Sequence, residues 1–133
     1  LDSEEPPTVW RRNYLRDEAD AVMLFFSVAK WSTFCAVPRF FEEVLSARKY
    51  KWFPAVLVGT MSDVEESNRQ VPKKLAEATA RAWGIPYIET SARNDRDVSE
   101  VYFTVVRVFW SWRASKFDFP EHHHHYSKKC FVM

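Results

Sequence analysis

The sequence predicts an α/β fold in which three parallel strands carry helices on the faces of their sheet. Three short apolar runs, at 21–28, 55–58 and 85–88, alternate with longer stretches of helical period. That alternation is the pattern of β-α-β units. The punctuation agrees, because Pro54 precedes the second run, Gly59 follows it, and Pro72 and Gly84 bracket the helical stretch between the second and third.

Taken in order, residues 1–17 read as a loop containing Glu4-Glu5-Pro6-Pro7, leading to a short helix at Trp10–Leu15. The run Ala-Val-Met-Leu-Phe-Phe-Ser-Val at 21–28 has no polar alternation, as a strand covered on both faces requires. Periodicity alone leaves a helix open there. Phe34, Val37, Phe41, Val44 and Leu45 recur at spacings of three and four, which marks a helix that Ser32 or Thr33 can cap. Pro38 inside it implies a late start or a kink. Ala55–Val58 is the second strand. In the next helix Pro72 takes the first position, Gly84 the position after the last, and Leu75, Ala76, Thr79, Ala80 and Trp83 the inner stripe. In the third strand, Ile85–Ile88, Pro86 has no N–H for a ladder, so this strand belongs at a sheet edge. A last helix over about 98–112 puts Val98, Val101, Tyr102, Val105, Phe109 and Trp112 on one face. Phe103, Val106 and Trp110 widen its apolar surface. Beyond Arg113 the periodicity fades, so residues 1–113 form the domain and 114–133 a flexible tail.

Composition narrows the function classes. A length of 133 residues suits one domain, and 47% hydrophobic content can fill a core. Nineteen Lys and Arg against eighteen Asp and Glu, in no long block of one sign, lack the electrostatic footprint of a nucleic-acid binder. Cys35 and Cys130 stand far apart and make no disulfide framework, which favours a reducing, cytosolic compartment. No run approaches the roughly 20 apolar residues that span a bilayer, and no secretory leader opens the chain. Glycine is the sharpest count. Only Gly59 and Gly84 occur, where average usage would give roughly nine. Neither G-x-x-x-x-G-K-S/T nor G-x-G-x-x-G can be written, so no phosphate-cradling loop is present.

Three stretches carry a resemblance: Ala19-Asp20-Ala21-Val22-Met23-Leu24-Phe25-Phe26-Ser27-Val28, Pro54 through Asp63, and Gly84-Ile85-Pro86-Tyr87-Ile88-Glu89-Thr90-Ser91-Ala92-Arg93. With the terminal Cys130-Phe131-Val132-Met133, they resemble the C-terminal two-thirds of a Ras-superfamily small GTPase, in the family's order and near its spacing. The first strand resembles the Rho branch and the Gly84–Ala92 stretch Ras itself. The fold implied is an incomplete doubly wound sheet of the P-loop-NTPase, Ras-like type, its N-terminal half missing; the chain opens on Leu1 rather than Met, as a fragment or processed product does.

The resemblance implies guanine binding at Thr60, Met61, Asp63, Ser91, Ala92 and Arg93. Gly59-Thr60-Met61-Ser62-Asp63 stands where the family has Asn/Thr-Lys/Gln-x-Asp, whose Asp accepts hydrogen bonds from guanine N1–H and the exocyclic amine. A carboxylate has acceptors only, and adenine offers no matching pair of donors. In isolation Asp63 reads first as a solvated residue capping the turn after a strand. Met61 replaces a long polar or cationic side chain that lies over the purine; its thioether can cover the ring but donates nothing. Ser91-Ala92-Arg93 resembles the Ser-Ala-Lys loop whose backbone N–H meets guanine O6, with Arg93 keeping the charge in a different geometry.

No catalytic residue is identified. The phosphate loop, its Lys and the Mg²⁺-binding Ser/Thr would precede Leu1, and Asp2-Ser3 stands where the family has Asp-x-Ala-Gly-Gln without its Ala, Gly and water-orienting Gln. The implied cofactor is GTP or GDP with Mg²⁺, and the implied partners are effector and regulator proteins. Cys130-Phe131-Val132-Met133 matches a prenylation box for a farnesyl group, which implies membrane-associated signalling at the cytoplasmic face of the plasma membrane, or a cytoplasmic protein if unprenylated. Lys128 and Lys129 add a thin basic patch. The alternative function is a non-catalytic pseudo-GTPase serving as an interaction module. His122–His125, consecutive in a tail, do not converge as a metal site must; Cys35 reads as a small hydrophobe at least half-buried, and the six tryptophans mostly as packing residues.

Overall fold

The computed structural model describes residues 7–49, 51–91, 95–116 and 130–132. In chain order they form α1 (Pro7–Asp17), β1 (Ala21–Ser27), α2 (Trp31–Ala47), β2 (Ala55–Thr60), a 3₁₀ turn at Glu66–Asn68, α3 (Lys73–Trp83), β3 (Tyr87–Glu89), α4 (Asp95–Lys116) and β4 (Cys130–Val132). The sheet is parallel throughout, in the order β3-β2-β1-β4. The three expected strands are present and β3 lies at an edge, but it begins at Tyr87 rather than Ile85. Pro86, just before it, turns its backbone toward β2, its carbonyl accepting from the Leu57 N–H at 3.0 Å, so the missing donor is not what places β3 at the edge. The fourth strand is new. Of the stretch expected as a tail, residues 114–116 continue α4 and Cys130–Val132 pair with β1; the rest lies outside the described residues, as does the four-histidine run.

Alternation along the strands divides the core into two layers. Val22, Leu24 and Phe26 of β1 and Ala55 and Leu57 of β2 face a cluster completed by Leu15, Phe34, Val37, Val44, Ala76, Ala80 and Ile85 from the helices and loops on that side. Ala21, Val56 and Val58 face the other way, against Val101 and Val105 of α4, with Met23, Phe25, Ile88 and Val108 at its margin. Hence α1, α2 and α3 cover one face and α4 the other. From Ala55 to Val58 no residue is more than 1% exposed, and each such Val or Leu side chain contributes about 1.5–3 kcal/mol on burial.

Helix ends follow local chemistry, with three departures from expectation. Gly84 closes α3 at φ 70°, in the left-handed region only glycine enters freely, but Pro72 sits one residue before the helix rather than in its first position. The start of α2 is at Trp31, ahead of both residues expected to cap it. Its first N–H groups find other acceptors: the Trp31 N–H donates to Gln70 Oε1 at 2.7 Å and the Thr33 N–H to the Lys30 carbonyl at 3.1 Å. Pro38 lies inside α2, where its missing N–H leaves one rung of the ladder unmade.

Stripe assignments shift at the margins. Leu75, Val98 and Tyr102, expected inside, are 39, 57 and 54% exposed, because their helices turn Ala76 and Ala80, or Val101, Val105 and Phe109, toward the sheet. Cys35 is exposed rather than half-buried, one residue off the Phe34–Val37–Val44 stripe that α2 buries. Trp10, Trp31, Trp52 and Trp110 are likewise exposed, whereas Trp83 stacks on Phe41 with ring centroids 4.3 Å apart.

Arg48 fastens α1 to this body. Its Nε donates to the Leu15 carbonyl at 2.7 Å, a second guanidinium nitrogen donates to the Ala19 carbonyl, and the cation lies 4.3 Å from the Phe53 ring centroid. Burial pushes the guanidinium pKa down, and the charges of Asp20 and Asp17 oppose that shift. Two charge-assisted hydrogen bonds and a cation–π contact make Arg48→Ala cost about 2–3 kcal/mol. Urea unfolding checks this, and Arg48→Lys, which cannot serve both carbonyls, should recover less than half of the loss.

Candidate functional site

The carboxyl ends of β1, β2 and β3 converge, which is where open parallel sheets present loops to ligands. Two backbone hydrogen bonds join the segments after β2 and β3. The Thr90 N–H donates to the Gly59 carbonyl at 2.8 Å, and the Ser62 N–H donates to the Thr90 carbonyl at 3.0 Å. The Val64 N–H closes a tight turn on the Met61 carbonyl at 3.1 Å. Asp63 therefore sits exposed on a turn fixed at both ends. Thr90 and Ser91 are 6 and 7% exposed, and the Ser91 N–H donates to Asp97 Oδ2 in the first turn of α4 at 3.2 Å.

The structure thus brings Thr60, Met61, Asp63 and Ser91 together, while Ala92 and Arg93 lie outside the described residues. Thr60 is turned inward, its hydroxyl donating to the Phe26 carbonyl at 3.0 Å, so it ties β2 to β1 rather than facing a ligand. Met61 is 51% exposed at φ 60°, a conformation that costs an L-residue roughly 1–2 kcal/mol. The Ser27 hydroxyl donates to its sulfur at 3.3 Å.

A second set of residues, not singled out from sequence, props up this end of the sheet. Arg69 holds Glu89 through two parallel hydrogen bonds, one of 2.9 Å, and its Nε donates to the Val71 carbonyl at 2.7 Å. The Tyr87 hydroxyl donates to Glu89 Oε2 at 2.6 Å. The Arg69 and Glu89 side chains are only 11 and 14% exposed. Gly59 makes room for this group, because a Cβ there would lie 2.5 Å from the Tyr87 hydroxyl and 3.0 Å from Val28 Cγ1. No local motif marks Arg69, twenty residues from its partner. The spacing of Tyr87 and Glu89, on the same face of a strand, is the one cue the sequence offers.

The hydrogen bonds from Arg69 hold the Glu89 carboxyl below its ordinary range, against the opposing effect of burial. Burial, then the neighbouring Glu89 carboxylate, push the Tyr87 hydroxyl above its ordinary value. A carboxyl depressed in the folded state stabilises the fold above its unfolded pKa, near 4.3, and that stabilisation disappears as the pH falls through the folded value. Glu89→Gln should therefore cost about 2 kcal/mol at pH 7. Its thermal midpoint should approach that of the parent protein between pH 4.5 and 3; a constant gap between the two curves over this range would refute the pairing.

The comparisons with known proteins agree with this arrangement. The family model described as Ras family matches residues 5–110. The Ras-like protein rasC of Dictyostelium discoideum is 29% identical over 112 residues, covering 84% of this chain and 59% of its own length. Ras-related protein Ral-B of Rattus norvegicus is 37% identical over 107 residues, 80% of this chain and 51% of its own. Ras-related protein ralB-A of Xenopus laevis is 36% identical over 107 residues, with the same coverage of 80 and 51%. The chain therefore spans a little over half the length of the curated relatives it matches. Its parallel sheet, its flanking helices and the match over residues 5–110 lead to one conclusion: the chain belongs to the Ras family of small GTPases.

Proposed function

We propose that this chain carries the guanine-reading part of a nucleotide site and acts in membrane-associated signal transduction. The observation that supports this most is the pair of backbone hydrogen bonds by which Gly59 and Ser62 hold Thr90, the residue before Ser91, since both segments are needed to bracket one base. In this reading Asp63 accepts from guanine N1–H and the 2-amino group, and a backbone N–H of the Ser91-Ala92-Arg93 loop other than that of Ser91, which Asp97 holds, meets O6. Adenine, with an amine at C6 and no N1–H, offends both. Met61 covers the ring by dispersion and sulfur–aromatic contact, and Arg93 keeps the positive charge of the family's Ser-Ala-Lys loop.

The residues present fit a purine better than they fit a triphosphate. GTP or GDP with Mg²⁺ is what Ras-family membership implies, yet the two glycines cannot form a phosphate loop. Among the described residues no group of three or more His, Cys, Asp or Glu is arranged to hold a metal. No phosphoryl-transfer step is assigned to this chain's residues. The effectors and regulators of a Ras-like protein are its proposed protein partners.

Location follows from the other end of the chain. No helix among the described residues is long and apolar enough to cross a membrane, so attachment is proposed through a farnesyl group on Cys130, at the cytoplasmic face of the plasma membrane. One such chain binds reversibly, and Lys128 and Lys129 add about 1 kcal/mol each near an anionic leaflet.

Two measurements test these roles. Titration with fluorescent GDP and Mg²⁺ should give saturable binding that Asp63→Ala weakens at least tenfold, as loss of a charged acceptor worth about 1.5–3 kcal/mol requires; equal affinity of the two proteins would remove Asp63 from the site. In cells, Cys130→Ser should move the protein from the membrane to the soluble fraction, and an unchanged distribution would refute the anchor.

A further inference from the structure

The exposed edge of β1 shows where the end of the chain goes. The Val22 N–H donates to the Pro54 carbonyl at 2.9 Å and the Val28 N–H to the Thr60 carbonyl at 3.0 Å, so even-numbered residues of β1 turn their backbone groups toward β2. Odd-numbered residues turn theirs to the opposite edge. At Ser27 that edge is closed internally, because the Thr33 hydroxyl accepts from the Ser27 N–H at 2.9 Å and lies 3.2 Å from the Ser27 carbonyl. Ala21, Met23 and Phe25 remain, and β4 takes the first two in the register Ala21↔Cys130, Val22↔Phe131, Met23↔Val132. In a parallel pair of this register the Phe131 N–H faces the Ala21 carbonyl and the Met23 N–H faces the Phe131 carbonyl. An apolar edge that would otherwise pair with another chain is thereby blunted.

We infer that Cys130–Val132 is a gate on its own lipidation: docked on β1 as β4, the terminal box is withheld from a prenyltransferase, and only release of the strand offers Cys130 as substrate. This rests on the reading of Cys130 as a lipidation site. In the modification the Cys130 sulfur, having lost its proton to solvent, forms a thioether to C1 of farnesyl diphosphate, the C1–O bond breaks, and diphosphate leaves. The enzyme must enclose the last four residues as a free extended end, and a strand hydrogen-bonded along one edge cannot be enclosed. With only three residues paired, the docked state is short enough to open, so the gate slows modification without abolishing it.

The test compares farnesylation rates of the folded 133-residue chain, of a synthetic peptide of residues 126–133, and of the Met23→Pro chain, with purified farnesyltransferase and farnesyl diphosphate. Proline at 23 deletes the N–H that points to β4 and none that points to β2. The parent chain should react at least tenfold more slowly than the peptide, and Met23→Pro should come within about threefold of it. An unmodified peptide would remove the lipidation reading and the gate with it. A peptide and a parent chain that react equally fast would leave lipidation standing and overturn the gate. Should Met23→Pro not fold, amide hydrogen exchange in the parent chain decides: at least tenfold slower exchange at Phe131 than in the peptide supports the docked strand, and equal exchange overturns it.

Discussion

Strand β2 has neither a free edge nor a free face, and the other elements are arranged around that constraint. It pairs with β1 along six residues and with β3 along three, while helices close both its faces. Every backbone group from Ala55 to Thr60 must therefore find its partner in a neighbouring strand, because water is excluded. That requirement fixes the register and sets the heights at which the three strands end. Gly59 sits where the strand is tightest: Tyr87 crosses it so closely that its hydroxyl reaches Glu89, and Glu89 in turn fastens Arg69. The loop between β2 and α3 and the end of β3 are held through one glycine.

Much of this was legible in the chain, and what was not has physical reasons. Uninterrupted apolar runs announced β1 and β2, because strands buried on both faces need no polar alternation. The edge position of β3 was expected from Pro86, but that residue precedes the strand and faces β2. Gly84 announced the end of α3, since its left-handed turn is one that other residues avoid. Of the candidate site, Asp63 and Ser91 came from resemblance, and their meeting depends on a strand pairing that no local pattern encodes. Arg69 and Glu89 were silent for the same reason. Strand β4 went unseen because three residues carry no measurable period, and Leu75 and Tyr102 were misassigned because a helix beside small residues rotates to bring its alanines or valines closest to the sheet.

The two faces of the sheet are unequally dressed. Three helices cover one, and α4 alone covers the other, where Phe103 and Trp110 are 63 and 47% exposed. The same side of the molecule carries Met23 and Phe25 of β1, half-buried at the margin of the smaller cluster.

The conformation of Met61 leads in a different direction, toward which codons this position can reach. Left-handed backbone at φ 60° is tolerated by an unbranched side chain and resisted by one branched at Cβ. Single-base changes from AUG lead to valine, threonine and isoleucine, all branched at Cβ, and to leucine, lysine and arginine, which are not. Backbone geometry therefore filters mutation before any ligand does. The lysine codon AAG, one step away, would put a long cationic side chain in place of the thioether, on a main chain already in the left-handed region.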